Sequence, residues 1–119
     1  MQQIAGTTYS AVVGQVLAVE RANAGFNQGV FAGQMGISQA TWSRIEKGNS
    51  GLSIEQLAHA ARLLKRSPSE ILQLADDVVQ DLREKNMKVE ESRKKGSNAG
   101  LLLLGGAAIA ALVLAAKNK

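Results

Sequence analysis

From Gly25 to Glu70 the chain is cut into short pieces by glycines and helix-capping residues, and that punctuation limits what it can become. Gly25 can stop a first helix whose apolar face carries Val12, Val13, Val16 and Leu17. Asn27 suits an N-cap, Phe31 and Met35 fall on the core side of a short second helix, and Gly36 supplies the left-handed residue that ends it. Ser38 can cap a third helix that ends at Gly48. Ser53 and Gln56 have the spacing of a capping box, and Ile54, Leu57, Ala58, Ala61 and Leu64 form one stripe on the fourth helix. A fifth helix starts at Ser67, with Pro68 in its first position and Glu70 reaching back to the cap. Pro68 is the only proline, strand-type alternation is missing, and apolar residues recur at helical spacing. The expected fold class is therefore all-α.

The fifth helix reads as long. Ile71, Ala75, Val78, Leu82 and Val89 follow a helical seam, interrupted at Lys85, and no breaker appears before Gly96. This divides the chain into a five-helix domain over 1–75, a charged helical stalk over 76–96 and an apolar end over 97–119. The net charge of +4 is distributed unevenly. Residues 1–75 carry six basic and four acidic side chains, 76–91 three basic and six acidic, and 92–119 five basic and none acidic. The basic character thus gathers around the apolar end, where it points to a membrane surface more than to nucleic acid. There is no cysteine and one histidine, which excludes a disulfide framework, a thiolate site and a histidine metal cluster.

Between Asn98 and Lys117 the chain runs for eighteen residues without a charge or a hydrogen-bonding side chain. As a helix this stretch is about 27 Å long, at the lower end of what spans a bilayer core. Leu101, Leu104, Ile109, Leu112 and Leu114 would be its lipid-facing residues, which predicts a C-terminal transmembrane helix and a lipid bilayer as partner. Arg83, Lys85, Lys88, Arg93, Lys94 and Lys95 precede the segment, against Lys117 and Lys119 after it. The positive-inside rule then predicts a single-pass anchor in the cytoplasmic membrane, with the N-terminal domain in the cytoplasm. Gly106 and Ala110, with Ala107, Ala111 and Ala115, have small-xxx-small spacing that can pair helices in a homo-oligomer. A buried oligomerisation helix or an interfacial segment is the alternative for this stretch.

Residues 26–48, FNQGVFAGQMGISQATWSRIEKG, carry the densest information. A short helix, a tight turn at a glycine and a second capped helix, with small Ala32 where the two approach, describe a helix-turn-helix. On the third helix Gln39, Ala40, Ser43, Arg44 and Lys47 share one face while Trp42 and Ile45 point the other way. Gln can read adenine, Arg can read guanine and Ala can meet the thymine methyl, so this face has readout chemistry suited to a major groove. The sequence resembles the phage repressor and Cro family, the xenobiotic-response-element type. The matching residues are Gln28, Ala32, Gly36, Ile37, Ser38, Gln39, Thr41, Ser43, Arg44, Ile45, Glu46 and Gly48, and the likeness runs from about Val13 to Leu74. The resemblance implies double-stranded DNA as partner. It places Gln39, Ala40 and Arg44 at base edges and Gln28, Ser43 and Lys47 at phosphates, with Ser38 and Thr41 completing the DNA-binding set. It also makes Arg21 and Glu46 a structural ion pair and Trp42 a core residue. Gly29 and Gly33 in the second helix each cost about 1 kcal/mol relative to Ala, so this helix is soft or something approaches it closely.

No enzyme is expected. Asp76 and Asp77 form a solvated pair, His59 sits on the polar side of the fourth helix, and no nucleophile, base and orienter can be assembled. No cofactor is implied. The function that follows is a membrane-tethered DNA-binding protein, either a transcriptional regulator or a DNA-positioning factor. The alternatives are a self-assembling scaffold and a membrane-anchored adaptor whose helix-turn-helix contacts a protein partner, a layout that resembles a bacterial cytoskeletal adaptor family.

Overall fold

A computed structural model describes residues 4–85, 88–90, 101–103 and 106–117. In chain order these form β1 (Ile4–Thr8), α1 (Tyr9–Asn23), α2 (Gln28–Met35), α3 (Gln39–Glu46), α4 (Ile54–Leu63), α5 (Pro68–Glu84), β2 (Lys88–Glu90), β3 (Leu101–Leu103) and α6 (Gly106–Lys117). Local chemistry sets most of the helix starts. Asn27, Ser38, Ser53 and Ser67 cap α2, α3, α4 and α5 with their side chains, and the last two form full capping boxes with Gln56 and Glu70. Thr8 is both the last residue of β1 and the cap of α1, its hydroxyl accepting from the Ala11 amide at 3.1 Å. The Ser67 amide and hydroxyl hold the Glu70 carboxyl below its ordinary pKa.

The core lies where α1, α2, α3, α4 and α5 converge. Val12, Val16, Leu17, Phe31, Trp42, Ile71, Ala75 and Val78 are sealed from solvent. Two glycines let α1 approach α3. A side chain on Gly14 would overlap the backbone carbonyls of Ile45 and Glu46, and one on Gly48, which has φ of 79°, would strike Ala11. On α4 the core stripe is Leu57, Ala60, Ala61 and Leu64. Ile54, expected on that stripe, is 81 % exposed. It shares the helical phase of Leu57 but sits a turn earlier, beyond the reach of the packed helices, while Ala58 falls off the phase and Ala60 takes its place.

The helical fold stands as expected, and the C-terminal third is where the expected architecture fails. Six helices form among the described residues, but they are joined by a three-stranded parallel sheet in the order β2-β1-β3. Gly6, Thr7 and Thr8 pair with Lys88, Val89 and Glu90, and Ile4, Ala5 and Gly6 pair with Leu101, Leu102 and Leu103. Segments this short show no period, and their partners lie too far away in sequence for any local window to find them. The stalk is not a continuous helix either, since α5 ends at Glu84 and Val89 belongs to β2. Ile71, Ala75, Val78 and Leu82, from the seam expected along the fifth helix, are fully buried inside one chain and so leave no apolar stripe there for a second subunit.

No helix among the described residues is long and apolar enough to cross a membrane. This contradicts the transmembrane segment and the membrane localisation. The apolar run is divided: Leu101 falls in β3, and α6 has only 12 residues. A helix of that length spans about 18 Å, well short of a hydrocarbon core of about 30 Å. α6 lies instead against α1 and α5. Ile109 and Val113 are buried there, Leu112 is half-buried and Leu114 is 47 % exposed, while Leu104 lies outside the described residues. Hydropathy shows that such a segment avoids water, and a protein face satisfies that as well as lipid does. Burying Ile109 and Val113 contributes about 1.5–3 kcal/mol each. Lys117 fixes the end of the helix through its Nζ, 2.7 Å from Glu20 Oε2 on α1.

Candidate nucleic-acid interface

The turn between α2 and α3 is built from the residues that announced it. Gly36 adopts φ of 76°, and the Ile37 amide donates back to the Ala32 carbonyl at 3.0 Å, which closes α2 and turns the chain. Ala32 is buried at the approach of the two helices. Ser38 then opens α3, its Oγ accepting from the Thr41 amide at 3.1 Å and donating to Thr41 Oγ1 at 2.9 Å.

α3 divides cleanly between its faces. Trp42, Ile45 and Glu46 are buried, whereas Gln39, Ala40, Arg44 and Lys47 are exposed and Ser43 is half-buried. The Trp42 ring packs on Phe31 with centroids 4.9 Å apart, and Phe31 meets Phe26 edge-on at 5.4 Å. Arg44 Nη2 lies 3.4 Å from Thr41 Oγ1, and no carboxylate pairs with Arg44 or Lys47 among the described residues. Both cations are therefore available to an anionic partner. Ser38 and Thr41 lie at the start of this face, but their hydroxyls are engaged with each other in the cap.

Beneath the face, the Glu46 carboxylate gathers donors from three helices. Arg21 Nε reaches Oε2 at 2.6 Å and Arg21 Nη2 reaches Oε1 at 3.2 Å. Trp42 Nε1 donates to Oε2 and Gln28 Nε2 to Oε1, each at 2.6 Å. Arg21 also donates to the Phe26 carbonyl at 2.7 Å, and Gln15 Nε2 to the Glu46 carbonyl at 2.6 Å. The paired positions Arg21 and Glu46 stand together as the resemblance implies. Gln28, which the resemblance sends to a phosphate, points its amide inward to Glu46. Sequence reasoning missed this role for Gln28 and the Trp42 bond, although Trp42 and Glu46 lie one helical turn apart and that spacing was a usable signal.

The glycines of α2 have no steric cause in the fold. A Cβ on Gly33 would meet nothing within 4 Å, and one on Gly29 would make ordinary contact with Asn27 Oδ1 and Gln39 Oε1. α2 is accordingly a helix of low intrinsic propensity, held by its caps, Phe31, Ala32, Met35 and the Gln28–Glu46 bond.

Residues 12–74 match the family model described as a helix-turn-helix domain, and the chain belongs to that family. Two crystal structures of the clp gene regulator ClgR from Corynebacterium glutamicum are similar to it. One has 26 % identity and a TM-score of 0.55, covering 57 % of this chain and 88 % of that one. The other has 25 % identity and a TM-score of 0.60, covering 66 % of this chain and 85 % of that one. No curated protein sequence shows significant similarity to the chain.

Proposed function

We propose that the chain is a non-enzymatic transcriptional regulator of the repressor and Cro type that binds double-stranded DNA by laying α3 in the major groove. The observation that carries this reading is the division of α3. Gln39, Ala40, Arg44 and Lys47 stand exposed on one side, while Trp42, Ile45 and Glu46 anchor the other in the core. A helix held this firmly presents its outer side chains in a fixed array, which base readout requires. Gln39, Ala40 and Arg44 meet base edges and Ser43 and Lys47 meet phosphates, while Gln28 acts through Glu46 to set the angle of α2 against α3. Similarity to a gene regulator supports the same class.

The test uses fluorescence anisotropy on the full chain, after selection of a preferred duplex from a random pool. Arg44→Ala should lose about 1–3 kcal/mol on that duplex and relax the preference at one position. Lys47→Ala should weaken all duplexes alike and flatten the salt dependence by about one counterion. Absence of any salt-sensitive binding, in a chain whose circular dichroism is native, would overturn the DNA reading in favour of a protein-binding module.

A further inference from the structure

A cavity of about 140 Å³ lies beside α3, between the first turns of α1, the end of α3, the loop that follows it, α4 and α5. Val13, Ile45, Leu52, Leu57 and Leu72 make most of its wall. Side chains in cores normally interdigitate and leave few voids larger than a water molecule. An aliphatic cavity of about 150 Å³ stays dry and takes up benzene, so this one has the size and lining for a single ring. Among the described residues no charged side chain lines it, which rules against an ionic ligand, since a buried charge needs a partner.

The cavity also has a polar feature. Ser10 and Ser50 line it, both half-buried, and neither side chain has a hydrogen-bond partner among the described residues. Tyr9 lines it as well, but its hydroxyl is committed to Asp76 Oδ1 at 2.7 Å. A hydrogen-bonding group on the ligand would therefore find its partner at Ser10 or Ser50. The wall is shared with the reading helix: Ile45 precedes Glu46, and at Gly14 the backbone of α1 meets the carbonyls of both. We propose that the cavity is an effector site for a small uncharged molecule, one ring bearing a single hydroxyl or carbonyl group, whose occupancy alters how α3 is held against α1. The site itself stands on the cavity, and its effect on DNA rests on the reading of α3 given above.

The experiment titrates toluene and benzyl alcohol into the full chain, with isoleucine, leucine and valine methyls labelled for NMR. Saturable shifts are expected at Ile45, Leu57 and Leu72, with benzyl alcohol binding a few-fold more tightly than toluene. Replacing Ser10 and Ser50 together by Ala should remove that difference. Ser50→Leu and Leu57→Phe fill the cavity from different walls, so that one remains informative if the other does not fold, and each should weaken binding by about tenfold or more. Shifts that stay linear up to the solubility limit, or affinities that a folded filling variant leaves unchanged, would overturn the site. Saturating benzyl alcohol should then change the affinity for the preferred duplex by about threefold or more, and a filling variant should not respond. An unchanged duplex affinity at saturation would overturn the effector role. No duplex binding with or without benzyl alcohol would count against the α3 reading and leave the methyl result standing.

Discussion

Glu46 on α3 and Glu20 on α1 are both buried acids, with 3 % and 4 % of their surface exposed, yet they are held in different ways. Glu46 receives four side-chain hydrogen bonds from Arg21, Gln28 and Trp42, all within the helix-turn-helix domain. Glu20 depends on a residue 97 positions away, Lys117, at 2.7 Å. Its other oxygen, Oε1, has no hydrogen bond among the described residues, and Arg66 Nη2 approaches it only to 3.3 Å. A carboxylate surrounded by donors on rigid helices is a permanent joint. One that leaves an oxygen without a hydrogen bond and relies on a lysine at the end of an apolar helix is a clasp, complete only while that helix stays in place.

Removing the acid from the joint should have the largest effect. Glu46→Ala leaves the Arg21 guanidinium, whose side chain is 14 % exposed, without its counter-charge and orphans the Trp42 and Gln28 donors. The expected cost is about 3–5 kcal/mol, measured by urea denaturation. Lys117→Met keeps the aliphatic stem and removes the charge, leaving Glu20 with Arg66 alone. About 1–3 kcal/mol should be lost, and the methyls of Ile109 and Val113 should broaden before global unfolding. Equal costs for the two variants would break the distinction between joint and clasp.

A gain is expected on α2, where Gly33 keeps the helix propensity low although nothing fills the space beside it. Gly33→Ala adds helix propensity in open space and should stabilise the chain by about 0.5–1 kcal/mol. If Gln28 tethers α2 as described, Gln28→Ala should not cancel that gain, because the two positions act through separate terms.

The smallest effect concerns an acid that is only half-buried. Burial, with the hydrogen bond to Asp76, pushes the Tyr9 phenol up to about 12 from its ordinary 10.0. The folded state therefore holds this proton more tightly than the unfolded state does. The contribution is complete below pH 10 and is lost as pH rises from there towards 12. The melting temperature of the native chain should fall towards that of Tyr9→Phe across this window. Tyr9 is the only tyrosine in the chain, so its ionisation can be followed by absorbance in the same samples. A constant gap between the two proteins would remove the Tyr9–Asp76 bond from the fold.

The five helices of the domain were legible because their starts are written in adjacent residues. A cap at Asn27, Ser38, Ser53 or Ser67 acts over one turn, and Gly36 and Gly48 end their segments by backbone conformation alone. The outward face of α3 was legible for the same reason, since its period is local. What lay between distant residues was not. The sheet pairs Thr7 with Val89 and Ile4 with Leu101, and neither partner carries a mark of the other. The apolar C-terminal run showed that Ile109 and Val113 must leave water, but not that the covering surface would be α1 and α5. Gln28 was assigned to a phosphate by the family resemblance alone; the buried acid that claims it is eighteen residues away.

The central position of β1 imposes an order of events on a chain made from its N-terminus. Ile4–Thr8 is made well before its partners, and neither flanking strand exists until residues 88–90 and then 101–103 have left the ribosome. Throughout that interval α1–α5 can be complete while β1 presents two bare edges, the kind of template that other chains add to. Synthesis at about 5–20 residues per second makes the wait several seconds long. β1 is thus the element that waits longest for its partners, and β2 and β3 are the segments that end the wait.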